Sequence, residues 1–142
     1  MTEIFRLSIS CVYGKYIEEP FLRVVEAPVD MTLDDLHFFI LDDLVGFNHD
    51  HFSGFYIANS WHGWKTWLTM SEDSDDDETA WEKSIGEIFP LGPHKKLYYL
   101  FDFGDSWTFE IRKEGKATSP LPDVFYPRVI YEEGPKPEQY PS

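Results

Sequence analysis

Histidines and a spaced pair of aspartates carry the chemistry this sequence could offer. His49 and His51 are separated by one residue between Phe47 and Phe55, and His62 follows between Trp61 and Gly63. Asp102 and Asp105 bracket Phe103-Gly104 within LYYLFDFGDSWTFEIR, Leu97 to Arg112. Imidazole nitrogens and carboxylate oxygens suit zinc, iron or manganese, so His49, His51 and His62 with Asp102 or Asp105 are a candidate divalent-metal set. A His-x-His spacing in a loop is not diagnostic, however, and we expect these histidines to make ordinary hydrogen bonds. No cofactor is expected, the divalent metal being the alternative. His37 is expected at the core edge of a helix. Asp102 and Asp105 could work as an acid/base pair only if their surroundings held their pKa values apart. The preferred reading is structural: Asp105 bonds nearby backbone in a turn, and Asp102 ties down Ser106 or the turn amides.

Trp61, Trp64 and Trp67 lie three apart, beside His62 and Lys65. Such rings could stack on the bases of a single strand, but the acidic run SEDSDDDE that follows, residues 71 to 78, opposes it. Core packing or an apolar protein-binding patch is the expectation. Asp102-Phe103-Gly104 matches a three-letter kinase motif without its context. There is no glycine-rich loop before a lysine strand and no HRD-type catalytic loop. Nor is there a G-x-S-x-G, P-loop, H-E-x-x-H or dinucleotide glycine pattern.

The elements that must position these residues fit one domain. The chain has 142 residues, a formal net charge of −14, and twelve Phe, eight Tyr and five Trp. That length allows one sizeable aromatic core. The charge opposes direct duplex binding, which needs a basic footprint. The single cysteine, Cys11, excludes an intramolecular disulfide, and its apolar surroundings predict a small buried hydrophobe. No signal peptide or membrane span is expected, so the cytoplasm is the predicted location.

Ile4 to Tyr13 alternates, with Phe5, Leu7, Ile9, Cys11 and Tyr13 predicted on one face. Phe21 to Ala27 is the second strand. Thr32 to Val45 is the main helix, with Leu33, Leu36, Ile40 and Leu44 at helical spacing. Thr32 and Asp35 form a capping box, Met31 and Leu36 a staple, and Gly46 the stop. Asp42 and Asp43 sit unfavourably at the helix C-terminus; they are solvated, or a cation or basic partner compensates. Phe52 to Ala58 and Trp64 to Met70 are strands joined by a turn. Residues 71 to 78 are an exposed loop, and Ser84 to Phe89 a short helix or turn. The central stretch is a hairpin. An odd loop, Phe103 to Asp105, sets Leu97, Tyr99 and Phe101 beside Ile111, Phe109 and Trp107 on one apolar face, with Trp107 buried. Tyr98, Asp102, Ser106, Thr108 and Glu110 fall on the other. Val124 to Tyr131 is a last edge strand, and a proline-rich tail begins near residue 132. The fold class is α+β: an antiparallel or mixed sheet, one main helix packed across it, and a grasp-like strand-strand-helix opening.

Three blocks resemble the Ri-plasmid open-reading-frame-three-like family of mobile-element passenger proteins. Thr32-Leu33-Asp34-Asp35-Leu36-His37 is similar to its helix start. Gly46-Phe47 with His51 and Phe55 is similar to its G-W-x-x-x-H-x-x-x-F segment. Phe101-Asp102-Phe103-Gly104-Asp105-Ser106-Trp107 is close to its Y-D-F-G-D-x-W signature. The resemblance implies a mobile-element association and carries no biochemical activity with it. The chain departs from the family at Phe109, where members have histidine, and at Pro137-Glu138, which stand without the family's cysteine. If members bind metal through that histidine and cysteine, this chain has lost the site. The expected function is a non-catalytic cytoplasmic interaction domain acting with a protein partner. The alternative is a metal-dependent enzyme or nucleic-acid accessory using His49, His51 and Asp102.

Overall fold

Alternation in the first strand gives the sheet its inner face. In β1 (Ile4–Tyr13), Phe5, Leu7 and Ile9 are buried and Arg6 between them is exposed, as expected where successive side chains point to opposite faces. The computed structural model describes residues 2–70 and 78–140. Its further strands are β2 (Leu22–Pro28), β3 (Ser53–Ala58), β4 (Thr66–Met70), β5 (Lys96–Phe101), β6 (Trp107–Thr118) and β7 (Arg128–Glu133). They make one antiparallel seven-stranded sheet in the order β4-β3-β5-β6-β1-β2-β7. Among the described residues, no strand pairs with the outer edge of β4 or of β7.

The β5–β6 hairpin takes the odd-loop register. Leu97 faces Ile111, Tyr99 faces Phe109 and Phe101 faces Trp107, and all six are fully buried. At ~1.5–3 kcal/mol for each such side chain, this face is a principal source of stability. Phe103 to Asp105 form the turn, closed by the Ser106 amide donating to the Asp102 carbonyl at 2.5 Å.

One main helix lies over this inner face. Thr32 and Asp35 complete the capping box at its start, each side chain accepting from the other's backbone amide. Leu33, Leu36, Ile40 and Leu44 are buried in the same cluster as Leu7, Ile9, Phe101 and Trp107. The predicted single α-helix is not uniform: α1 (Leu33–Phe38) passes into a π-helical segment, Phe39–Val45. The wider turn also brings Leu41 into the core. Gly46 ends the helix at φ 70°, a left-handed conformation that glycine adopts without strain. A second capping box, Ser84 with Glu87, starts the short α2 (Ile85–Ile88).

Several predicted features shift. A bulge between Cys11 and Tyr13 moves Tyr13 off the inner face; it stacks on Trp61 instead, at 4.6 Å and 18°. Cys11 is half-buried, and burial pushes its thiol up to about 12. The opposite face of the central hairpin is buried as well: Tyr98, Thr108 and Glu110 are all inaccessible. Trp61, Trp67 and Val12 pack over Tyr56 and Tyr98 to make a second, smaller core there. The return strand starts at Thr66 rather than Trp64, and the last strand runs Arg128–Glu133 rather than from Val124. The acidic run lies outside the described residues except Glu78, where a 3₁₀ segment, Glu78–Glu82, begins.

Candidate functional site

Asp102 holds the signature turn together. It is buried, and its backbone sits in the left-handed region at φ 62°, which aspartate tolerates better than most residues. Its Oδ1 accepts from the amides of Gly104, at 3.1 Å, and Asp105, at 3.2 Å. Its own amide donates to the Phe52 carbonyl at 2.8 Å, fixing the turn to the chain before β3. The Asp105 carbonyl accepts from the Lys15 amide at 3.1 Å, and its carboxylate stands 3.9 Å from Lys15 Nζ. Asp105 thus links the turn to the β1–β2 connection.

The second oxygen of Asp102 faces a histidine. His51 Nε2 lies 3.3 Å from Asp102 Oδ2, 2.5 Å from the Tyr140 hydroxyl and 3.7 Å from Asp50 Oδ1. Tyr140 donates to Asp50 Oδ2 at 3.0 Å. Its hydroxyl is pushed up to about 12 by desolvation, by the bond to Asp50, and by the charges of Asp50, Asp102 and Asp105. Gln139 closes the group, donating to Asp50 Oδ1 at 3.1 Å and accepting from the Asn48 amide at 2.7 Å. The result pins the C-terminal tail against the signature turn. Asp50, Gln139 and Tyr140 were not singled out from sequence. His51 and Tyr140 are 89 positions apart, so only the folded chain brings them together.

The other candidates go elsewhere. His49 turns to the end of the main helix, its Nε2 2.6 Å from Asp42 Oδ1. His62 lies beside Trp61 in the turn after β3. The five candidate ligands therefore do not share one centre: His51 meets Asp102, Asp105 faces Lys15, and His49 and His62 stand apart. Among the described residues, no group of three or more His, Cys, Asp or Glu is arranged to hold a metal ion. His37 sits at the core edge, its Nδ1 2.5 Å from the Tyr99 hydroxyl. Burial and, after it, the neighbouring His49 hold its imidazole down to about 4, against a smaller opposing effect of Asp42. The three tryptophans also separate. Trp61 and Trp67 cover the outer core, while Trp64 is 92% exposed.

A groove opens beside the main helix. It has a volume of about 530 Å³, lies between the helix and Tyr126-Pro127, and has Met31, Phe38, Phe39 and Tyr126 in its lining. Asp30, Asp35, Asp42 and Asp43 also line it. Nothing in the hydrophobic spacing pointed to it. The signal was in the helix's other residues: Asp35, Phe38, Phe39, Asp42 and Asp43 recur at spacings of three and four, one helical stripe.

The family model of plasmid pRiA4b ORF-3-like proteins matches residues 4–139. The chain belongs to that family, and the signature turn at Asp102 to Trp107 lies within the match. Among curated proteins, none matches. The structure is similar to the crystal structure of MM3350, a protein of unknown function from Methanosarcina mazei Go1. The TM-score is 0.71 at 23% identity, covering 93% of this chain and 70% of that one. At this identity the likeness speaks for the fold. Phe109, which stands where the resemblance implied a histidine, is fully buried between Phe21 and Tyr99. No helix among the described residues is long and apolar enough to cross a membrane.

Proposed function

We propose that the chain is a non-catalytic, acidic interaction domain of the cytoplasm that acts with a protein partner through the groove beside the main helix. The observation that carries this reading is the groove itself. Phe38 is 44% exposed there although its neighbours Leu36 and Phe39 are buried. An accessible aromatic ring in the wall of a groove is the kind of anchor point that protein interfaces use. The grasp-like opening, β1–β2–α1, is in this reading the frame that holds the groove out. The signature turn serves the frame, since Asp102 is engaged by two backbone amides and by His51. A net charge of −14 disfavours duplex DNA as the partner. A photo-crosslinking residue placed at Phe38 should give a defined protein adduct in native cells. The same residue at Trp64, exposed in the turn before β4 and outside the groove lining, should not. No adduct from Phe38, or identical adducts from both sites, sinks the proposal.

A further inference from the structure

The geometry points to a basic, apolar peptide segment as the occupant of the groove: lysine or arginine side chains flanking an aliphatic or aromatic anchor. This rests on the reading of the groove as the contact surface and adds the chemistry of what binds there. Carboxylates alone would be a solvated face. Here they line one groove together with Met31, Phe38, Phe39 and Tyr126, so an occupant matched to it carries both an apolar anchor and positive charge.

Among the described residues none of these carboxylates has a lysine or arginine partner. Asp30 accepts from the Thr2 hydroxyl at 3.3 Å, Asp35 caps its own helix, and Asp42 takes His49. Asp43 makes no hydrogen bond or ion pair among the described residues, and no lysine or arginine there stands within ion-pair distance of any of the four. The nearby Arg128 is taken by Glu26 at 2.7 Å. Asp42 and Asp43 also stand at the helix C-terminus, where the backbone carbonyls already add negative charge. Both terms are relieved by one cation placed at that end of the groove. Charge complementarity of this kind steers a partner in and sets its register.

The test uses the full chain, isotopically labelled, and a short probe peptide in which two leucines are flanked by lysines. A twin carries glutamine for lysine. The lysine peptide should shift the resonances of Phe38, Asp42, Asp43 and Tyr126, and the twin should bind at least about tenfold more weakly. The double variant Asp42→Asn with Asp43→Asn should weaken the lysine peptide by about tenfold. Glu18→Gln with Glu19→Gln removes the same net charge from another cleft and should change affinity less than about twofold. Equal losses in the two double variants would mean net charge alone, and would overturn the inference. If the glutamine twin binds the groove equally well, the basic occupant is wrong and the groove reading stands. If neither peptide shifts these resonances, both fail. Sedimentation separates the remaining occupant: a concentration-dependent dimer lost in Asp42→Asn with Asp43→Asn overturns the inference in favour of a second copy, docked through its Lys95, Lys96, Arg112 and Lys113.

Discussion

Replacing Gly14 with alanine should destabilise the protein through a single ring, and the effect should vanish when that ring is shortened. A Cβ at Gly14 would lie 2.4 Å from Cε3 and 2.7 Å from Cζ3 of Trp107. Both are atoms of the benzo ring. Trp107 is fully buried and packs edge-on against Phe47 at 4.9 Å and 62°, so it cannot simply swing away. Forcing a methyl into such a site costs ~1–3 kcal/mol. Trp107→Ala removes the ring and should cost ~3–5 kcal/mol, much of a domain's total of ~5–15 kcal/mol. Trp107→Phe should be milder. It deletes the benzo atoms, and it also deletes an indole N–H that finds no acceptor among the described residues. In that background the Gly14 methyl has space, so the double variant should be more stable than the sum of the singles by ~1–2 kcal/mol. Urea unfolding followed by far-ultraviolet circular dichroism measures all four corners, with an unchanged slope confirming the same cooperative transition. Additivity within ~0.3–0.5 kcal/mol would refute the contact. Wild-type stability in Trp107→Ala would refute the core hairpin itself.

Gly134→Ala should be far more damaging than Gly115→Ala in the same melt. Both have positive φ, which costs an L-residue ~1–2 kcal/mol, but only at Gly134 would the new Cβ collide with a carbonyl oxygen, that of Pro20. Asp102→Ala should cost ~1–3 kcal/mol by stripping the acceptor from two turn amides, while Asp102→Asn keeps an acceptor and the left-handed tolerance, and should lower the melting temperature less. Asp105→Asn should be nearly neutral, since its side chain makes only the long contact to the exposed Lys15. His37 gives a pH signature. Its folded imidazole is held to about 4 against an ordinary 6.5, so the unfolded chain binds more protons between those values. Stability should fall as pH drops through that window, and His37→Gln should flatten the profile measured by denaturant melts.

The hairpin register and the main helix were legible because each is a local pattern with one buried face. Leu97, Tyr99 and Phe101 alternate into one register, and Leu33, Leu36, Ile40 and Leu44 repeat around one helix. What escaped the sequence depends on pairings that local patterns do not encode. Tyr13 reads as an inward residue until a bulge near Cys11 turns it over. Thr108 and Glu110 look like solvent-facing positions, yet the distant Trp61 and Trp67 cover that side of the sheet. The metal set failed to converge because His49 and His51, two apart, leave in different directions: one to the helix end, the other to a tyrosine near the C-terminus. The groove was hidden because its helical stripe reads as a solvated face. Only the approach of Tyr126-Pro127 makes a concavity of it.

Among the described residues both outer edges of the sheet are unpaired, and the charge of this chain acts as their guard. An exposed strand edge is a template on which another chain can add itself, and natural proteins protect such edges with charge. β7 ends in Glu132-Glu133, and six carboxylates at residues 71 to 78 follow β4 in the sequence. Like charges on neighbouring molecules repel, which opposes edge-to-edge pairing. As the pH approaches the isoelectric point of about 4.5, that repulsion fades. The colloidal behaviour of the protein and the protection of its sheet edges thus draw on the same charge.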